Sequence, residues 1–208
     1  MELSDRPPQK LPVILLTVFE PFGGSGVNAS FEAGRLLATY PGVQMVVLPV
    51  TAGDAERVAL QALARTQPVL MISLGEAGPE PLVRLEKVAI NWDDFRLPDN
   101  GGNTNRDVAI TADGSDARFA TLPVSRIEKN LAGLTPLRVT VSLSAGAFLC
   151  NHLAYAVLQA MAGGTAPVCP YLFVHVPCWR PQNGPEALHN LVATLASLLH
   201  ECTQYAIK

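Results

Sequence analysis

Charge is scarce in this chain of 208 residues: only 16% are Asp, Glu, Lys or Arg, and the basic residues never gather into a run. The formal net charge is -3. No basic patch is there to attract a polyanion, and a nucleic-acid function is disfavoured. Long apolar runs are missing as well. None reaches the roughly 18 residues a membrane span needs, and the start, MELSDRPPQK, lacks the apolar stretch of a secretion signal. Residues 1–10 therefore read as a short disordered leader, residues 11–208 as one folded domain, and the location as cytoplasmic.

Cysteine is also sparse. The four present (Cys150, Cys169, Cys178 and Cys202) all lie in the last third and form no CxxC pair. Free thiols are expected instead of a disulfide framework. No Cys/His set has metal-ligand spacing, so no metal is expected. The glycine-bearing FEPFGGSG fits neither GxGxxG nor the phosphate-loop pattern, which argues against a nucleotide site.

What the chain does have is apolar content: 49% of its residues are hydrophobic, ample for a substantial core. Apolar runs at Leu11–Val18, Val43–Val50 and Val69–Leu74 have the length and branched content of strands buried on both faces. Helices are predicted between them, over Asn28–Tyr40 and over Ala52–Thr66, the latter with Val58, Leu60 and Leu63 towards the core. This alternation predicts parallel pairing through crossovers and ligand binding at the carboxyl ends of the strands. Leu82–Trp92 reads as a single strand with Arg84, Glu86 and Asn91 on its polar positions. Phe95–Ser115, rich in Asp, Asn and Gly, reads as a long loop or short hairpin, a type of segment that is functional or mobile. A helix over Val124–Leu131, a strand over Leu137–Ser142, a helix over Ala147–Met161, a strand over Tyr171–Val176 and a helix over Pro185–Ala206 complete an α/β fold. Its expected form is a single-domain, three-layer α/β/α sandwich with a mostly parallel twisted sheet.

Three residues carry candidate chemistry. Cys150 follows a strand and opens a helix, where free N–H groups and the helix dipole favour a thiolate and can hold an oxyanion. His175 ends an apolar strand, a setting for a general base in a dry site. His152 lies beside Cys150 on its helix and is expected to point elsewhere. Glu86 is a carboxylate able to orient an imidazole through its second ring nitrogen. Each has a plainer reading: an inert core thiol, a satisfied core histidine, a surface glutamate paired with Arg84 or Lys87. Residue position alone leaves both open.

Five motifs change that balance. FEPFGG at Phe19–Gly24, LEKVAIN at Leu85–Asn91, RLPDN at Arg96–Asn100, SAGAFLCN at Ser144–Asn151 and FVHVP at Phe173–Pro177 occur in one order. Together, over about residues 13 to 180, the chain resembles the pyroglutamyl peptidase I (pyrrolidone carboxyl peptidase) family of cysteine peptidases. The resemblance implies a catalytic domain over 11–208 that hydrolyses the amide after an N-terminal pyroglutamyl residue through a thioester. It implies Cys150 as nucleophile, His175 as base, Glu86 as the third member and Arg96 as an aid to the attacked carbonyl. Phe19 and Phe22 would flank the lactam ring, with Glu76 and Asn28 as further substrate-binding candidates. It also implies no metal or cofactor, a reduced thiol, pyroglutamylated peptides as partners and a homotetramer.

GEAGPE at Gly75–Glu80 departs from the family pattern, which carries an uncharged residue at the position of Glu76 and Gly-Arg in place of Pro79-Glu80. Glu76 is expected to accept the lactam N–H. Val18 stands where the family commonly has glycine and is expected to crowd the loop, and the region after Pro181 looks diverged. These departures keep two rivals in view: a cysteine amidohydrolase acting on another N-acyl or lactam compound, and a binding module without activity.

Overall fold

The computed structural model describes residues 12–206, so the leader expected over 1–10 lies outside the described residues. Six strands form the main sheet: β1 (Ile14–Phe19), β2 (Val43–Leu48), β3 (Leu70–Glu76), β4 (Leu82–Glu86), β7 (Arg138–Ser142) and β8 (Tyr171–Val176). Their order is β2-β1-β3-β8-β4-β7, parallel throughout except where β4 runs against β8. Two short strands, β5 (Val88–Ile90) and β6 (Ala117–Phe119), pair antiparallel as a separate ribbon. The helices are α1 (Ala29–Leu37), α2 (Asp54–Thr66), α3 (Val124–Leu131), α4 (Leu149–Ala162) and α5 (Gly184–Thr203), the last preceded by a 3-10 turn at Pro181–Asn183. None of these helices is long and apolar enough to cross a membrane.

Strand alternation divides the core in two. Leu16 and Val18, Leu70, Ile72 and Leu74, and Leu172 and Val174 face α1, α3 and α5. Their odd-numbered or even-numbered neighbours, among them Leu15, Met71, Tyr171 and Phe173, face α2 and α4. Both faces of the strands are covered, which is why they read as continuous apolar runs. The three-layer sandwich with a mostly parallel sheet is what the sequence predicts. Within α5 the expected apolar side is buried throughout, from Leu188 to Leu199.

Several details differ from expectation. The single strand foreseen over Leu82–Trp92 breaks at Lys87 into β4 and β5, which belong to different sheets. The core side of α2 is made by Ala55, Ala59, Ala62 and Leu63, whereas Val58 and Leu60 are only partly buried. Small side chains bring this helix close to the sheet. Val18 does not crowd a loop. It lies inside β1, fully buried, and Gly34 of α1 makes room for it: a Cβ on that glycine would stand 2.5 Å from Val18 Cγ1.

The segment from Asn91 to Asp116 contains no regular element beyond one isolated bridge between Asp93 and Val108. Side chains hold it instead. Asp99 accepts from the backbone N–H of Ala52, Gly101 and Asn103 at 2.8 to 2.9 Å. Asn91 accepts from Thr111 N at 2.9 Å and donates to Thr111 O at 2.8 Å. His152 of α4 ties the same segment down, with Nδ1 2.7 Å from Asp93 Oδ2 and Nε2 3.1 Å from Glu56 Oε1 on α2. Burial opposes the charged imidazole, but Asp93 and then Glu56 outweigh it and push its pKa up to about 9.

His152 therefore holds two carboxylates from two different segments. Its folded pKa is raised, so its stabilisation is complete below the ordinary value near 6.5 and is lost as pH rises through about 9. Replacing His152 with Ala leaves the buried Asp93 carboxylate without its charged partner and should destabilise the fold by about 3 kcal/mol near neutral pH. Urea unfolding from pH 6 to 10 should show the gap to wild type narrowing as pH rises; a gap independent of pH would contradict this account.

Candidate active site

Strands β1, β3 and β8 end at one edge of the sheet, where a parallel array opens a crevice. A pocket of about 190 Å3 lies there, lined among others by Phe19, Phe22, Asn28, Glu76, Phe148 and Cys150. Cys150 is the second residue of α4, whose N-cap is Phe148. The N–H groups of Leu149 and Cys150 belong to the first turn and have no carbonyl partner within the helix. Asn151, buried behind them, holds α4 to β5: its Oδ1 accepts from Ile90 N at 2.8 Å, and its Nδ2 donates to Ile90 O at 2.9 Å and to Trp92 O at 3.1 Å.

His175 and Glu86 come together across the one antiparallel pairing of the sheet. In that register Arg84 faces His175 and Glu86 faces Phe173, so Glu86 sits one pleat deeper than the histidine, on the same face. His175 Nδ1 lies 2.8 Å from Glu86 Oε1. Glu86 is only 3% exposed, and its Oε2 has no hydrogen-bond partner among the described residues. The carboxylate is thus committed to this imidazole, not to Arg84 or Lys87. Arg84 instead pairs with Glu80 at 3.0 Å, and Lys87 donates to Ala120 O at 3.1 Å.

Burial lowers the pKa of His175, but the charge of Cys150 and its hydrogen bond, followed by those of Glu86, overcome this and push it up to about 10. Cys150 and Glu86 therefore act on the same ring. Gly75 of β3 lies beside His175 in register. A Cβ there would stand 2.8 Å from Cys150 Sγ and 2.8 Å from Phe173 Cζ, so the absence of a side chain gives the sulfur its room.

The other sequence candidates divide. Phe19, buried, and Phe22, half-buried, both line the pocket. Asn28 lines it too but also caps α1, accepting from Ser30 N at 2.9 Å and donating to Glu20 O at 2.9 Å. Glu76 is held on three sides: Oε2 accepts from Ala29 N at 2.6 Å and from Arg180 Nη1 at 2.9 Å, and Oε1 from Arg180 Nη2 at 2.8 Å. Arg96 is exposed and lines a neighbouring groove with Trp92 and Leu97, beyond the Phe22–Phe148 ring pair, whose centroids are 5.3 Å apart. Among the described residues, no cluster of three or more His, Cys, Asp or Glu side chains could hold a metal ion.

Sequence reasoning missed Gly75 and Arg180. The signal for Arg180 was present: an acidic residue at the end of an apolar strand calls for a counter-charge, and this arginine follows FVHVP within four residues. Gly75 yields a direct test. Gly75→Ala should displace the sulfur from the imidazole and lower the rate of Cys150 alkylation by iodoacetamide by about 100-fold, with a far-ultraviolet circular dichroism spectrum like that of wild type. Unchanged labelling would mean that the glycine does not set the position of the thiol.

Comparison with known proteins identifies the family. A profile of the family described as "Pyroglutamyl peptidase" matches residues 12–193. The chain is 42% identical over 173 residues to the pyrrolidone-carboxylate peptidase of Chromobacterium violaceum, covering 80% of this chain and 78% of the relative. It is 36% identical over 207 residues to that of Vibrio vulnificus, covering 92% of each. Among solved structures, pyroglutamyl peptidase I of Bacillus amyloliquefaciens superposes with a TM-score of 0.84 at 29% identity, over 94% of this chain and 98% of that one. The pyrrolidone carboxyl peptidase of Pyrococcus furiosus gives 0.82 at 28% identity, over 93% and 99%. The chain belongs to the pyroglutamyl peptidase family of cysteine peptidases.

Proposed function

We propose that this protein is an exopeptidase that hydrolyses the amide bond after an N-terminal pyroglutamyl residue, using Cys150, His175 and Glu86 and a thioester intermediate. The observation that carries this reading is the 2.8 Å contact between His175 Nδ1 and a Glu86 carboxylate that has no other partner among the described residues, on an imidazole that also interacts with Cys150. A pure binding module has no use for such a constellation.

The steps follow from the chemistry of the groups. Glu86 fixes the His175 tautomer, leaving Nε2 for the thiol. The Cys150 proton passes to that nitrogen, and the resulting thiolate attacks the pyroglutamyl carbonyl. The C–S bond forms as the carbonyl oxygen takes the negative charge, stabilised by the N–H groups at the start of α4. Imidazolium His175 then protonates the leaving peptide nitrogen as the C–N bond breaks, giving a thioester. Water, deprotonated by the same imidazole, attacks the thioester; pyroglutamate leaves and the thiol is restored. Arg96 belongs to the adjoining groove, so the oxyanion falls to the backbone N–H groups and Arg96 faces the departing peptide.

The lactam ring suits the pocket because it is small, neutral and flat. Phe19, Phe22 and Phe148 supply apolar walls, and Glu76 offers an acceptor for the ring N–H. Among the rival substrates, other N-acyl or lactam compounds, the small pocket disfavours the bulkier ones and supports an N-terminal pyroglutamyl group.

Release of a fluorophore from a pyroglutamyl amide should require a reductant, and Cys150→Ala should lower kcat/KM by a factor on the order of 10^4 or more. A well-folded wild type without turnover would remove the reading. The alkaline limb gives a second check. His175 must be an imidazolium to protonate the leaving amine, and its pKa is raised to about 10, so kcat/KM should hold up to pH 9 and fall through about 10. Glu86→Gln removes one cause of that shift and should move the limb to lower pH; a limb that stays in place would separate Glu86 from the imidazole's titration.

A further inference from the structure

A carboxylate in the wall of a small apolar pocket raises a question of selectivity. Left bare, Glu76 would hold water in front of it and would attract any cationic ring that fits. A competing ring of that kind exists on every protein that begins with proline: five-membered like pyroglutamate, but with a secondary amine instead of a lactam. With an α-amino pKa of about 8, it is mostly charged at neutral pH.

Glu76 is not bare. Arg180 grips both its oxygens, at 2.8 and 2.9 Å, in the paired geometry that a planar guanidinium favours. The guanidinium is itself held: Nη1 also donates to the carbonyl of Trp179 at 2.7 Å, and the backbone N–H of Arg180 donates to Asn183 Oδ1 at 2.7 Å within the 3-10 turn. The two side chains are 31% and 17% exposed, Arg180 the more so. Ala29 N and Arg180 Nη1 fill Oε2, whereas Oε1 takes, among the described residues, only Arg180 Nη2. A carboxylate oxygen has two lone-pair directions, so Oε1 keeps one acceptor site.

We propose that Arg180 is a specificity-determining residue: by pairing with Glu76 it makes that wall electrically neutral while leaving Oε1 to accept an N–H, so the pocket takes the neutral lactam and turns away the charged ring of an N-terminal proline. Arg180 acts through Glu76 and touches no reacting atom. The inference rests on the function proposed above.

The test measures KM and kcat for a pyroglutamyl amide, and the inhibition constant of prolinamide at pH 7, in wild type, Arg180→Ala and the double variant Glu76→Gln/Arg180→Ala. Arg180→Ala should raise KM about tenfold and lower the prolinamide constant about tenfold, the size of one charge-assisted hydrogen bond, with kcat within about twofold of wild type. The double variant, whose wall is again neutral, should recover KM and lose the gain in prolinamide affinity. Thermal melting of each variant keeps folding separate from recognition. If Arg180 were only a staple, both ligands would weaken together and the double variant would rescue neither; that result overturns the proposal, as does an unchanged KM with unchanged prolinamide inhibition. A wild type without thiol-dependent turnover would instead remove the functional reading and this inference with it, whereas an active wild type with indifferent variants removes this inference alone.

Discussion

Glu86 is a carboxylate at 3% exposure inside a sheet, and much of the architecture around it follows from that. A buried carboxylate without a partner is strongly destabilising, and the penalty is met only by a group that can share charge with it in good geometry. His175 is that group, and the antiparallel setting of β4 against β8 is what brings the two within 2.8 Å. Were β4 parallel to β8, its polar positions would meet that strand in a different register and the contact would be lost. The polar face of β4 and the end of β8 are thereby fixed to each other.

Helix α4 must then arrive at the same spot, and it is held there from behind. Asn151 binds β5 and the backbone just after it, and His152 bridges Asp93 and Glu56. Cys150, between them and the pocket, is left as the free member of the turn. Three consecutive residues thus divide the work: one faces the pocket and two anchor the helix. The anchoring also fixes the start of the segment after β5, where Asp93, just past the strand, meets His152 at 2.7 Å.

How much of this could be read beforehand depends on the kind of signal. Buried strands and amphipathic helices declare themselves through periodicity, and β8, α3 and the apolar side of α5 follow it closely. The break at Lys87 left no such trace, because β4 and β5 are short and their apolar content runs on across the gap. The alanine face of α2 was obscured because Val58 and Leu60 are more hydrophobic than the small residues that pack. At the site, ordered motifs drew attention to Cys150, His175 and Glu86, and the acid ending β3 called for a counter-charge, but nothing in the sequence paired Arg180 with Glu76 or marked Gly75 as clearance for a sulfur. Those are facts of contact between segments distant in the chain, which periodicity does not encode.

The position of β8 has a consequence for how the protein comes into being. It is the last strand in the sequence yet lies in the middle of the sheet, between β3 and β4. As the chain leaves the ribosome, β2-β1-β3 and β4-β7 can form only as two separate ribbons, each exposing an edge. Insertion of β8 closes the gap and delivers His175 at once. The nascent polypeptide therefore carries Cys150 and Glu86 for some time without the imidazole of His175, and the three side chains meet only when the sheet is complete.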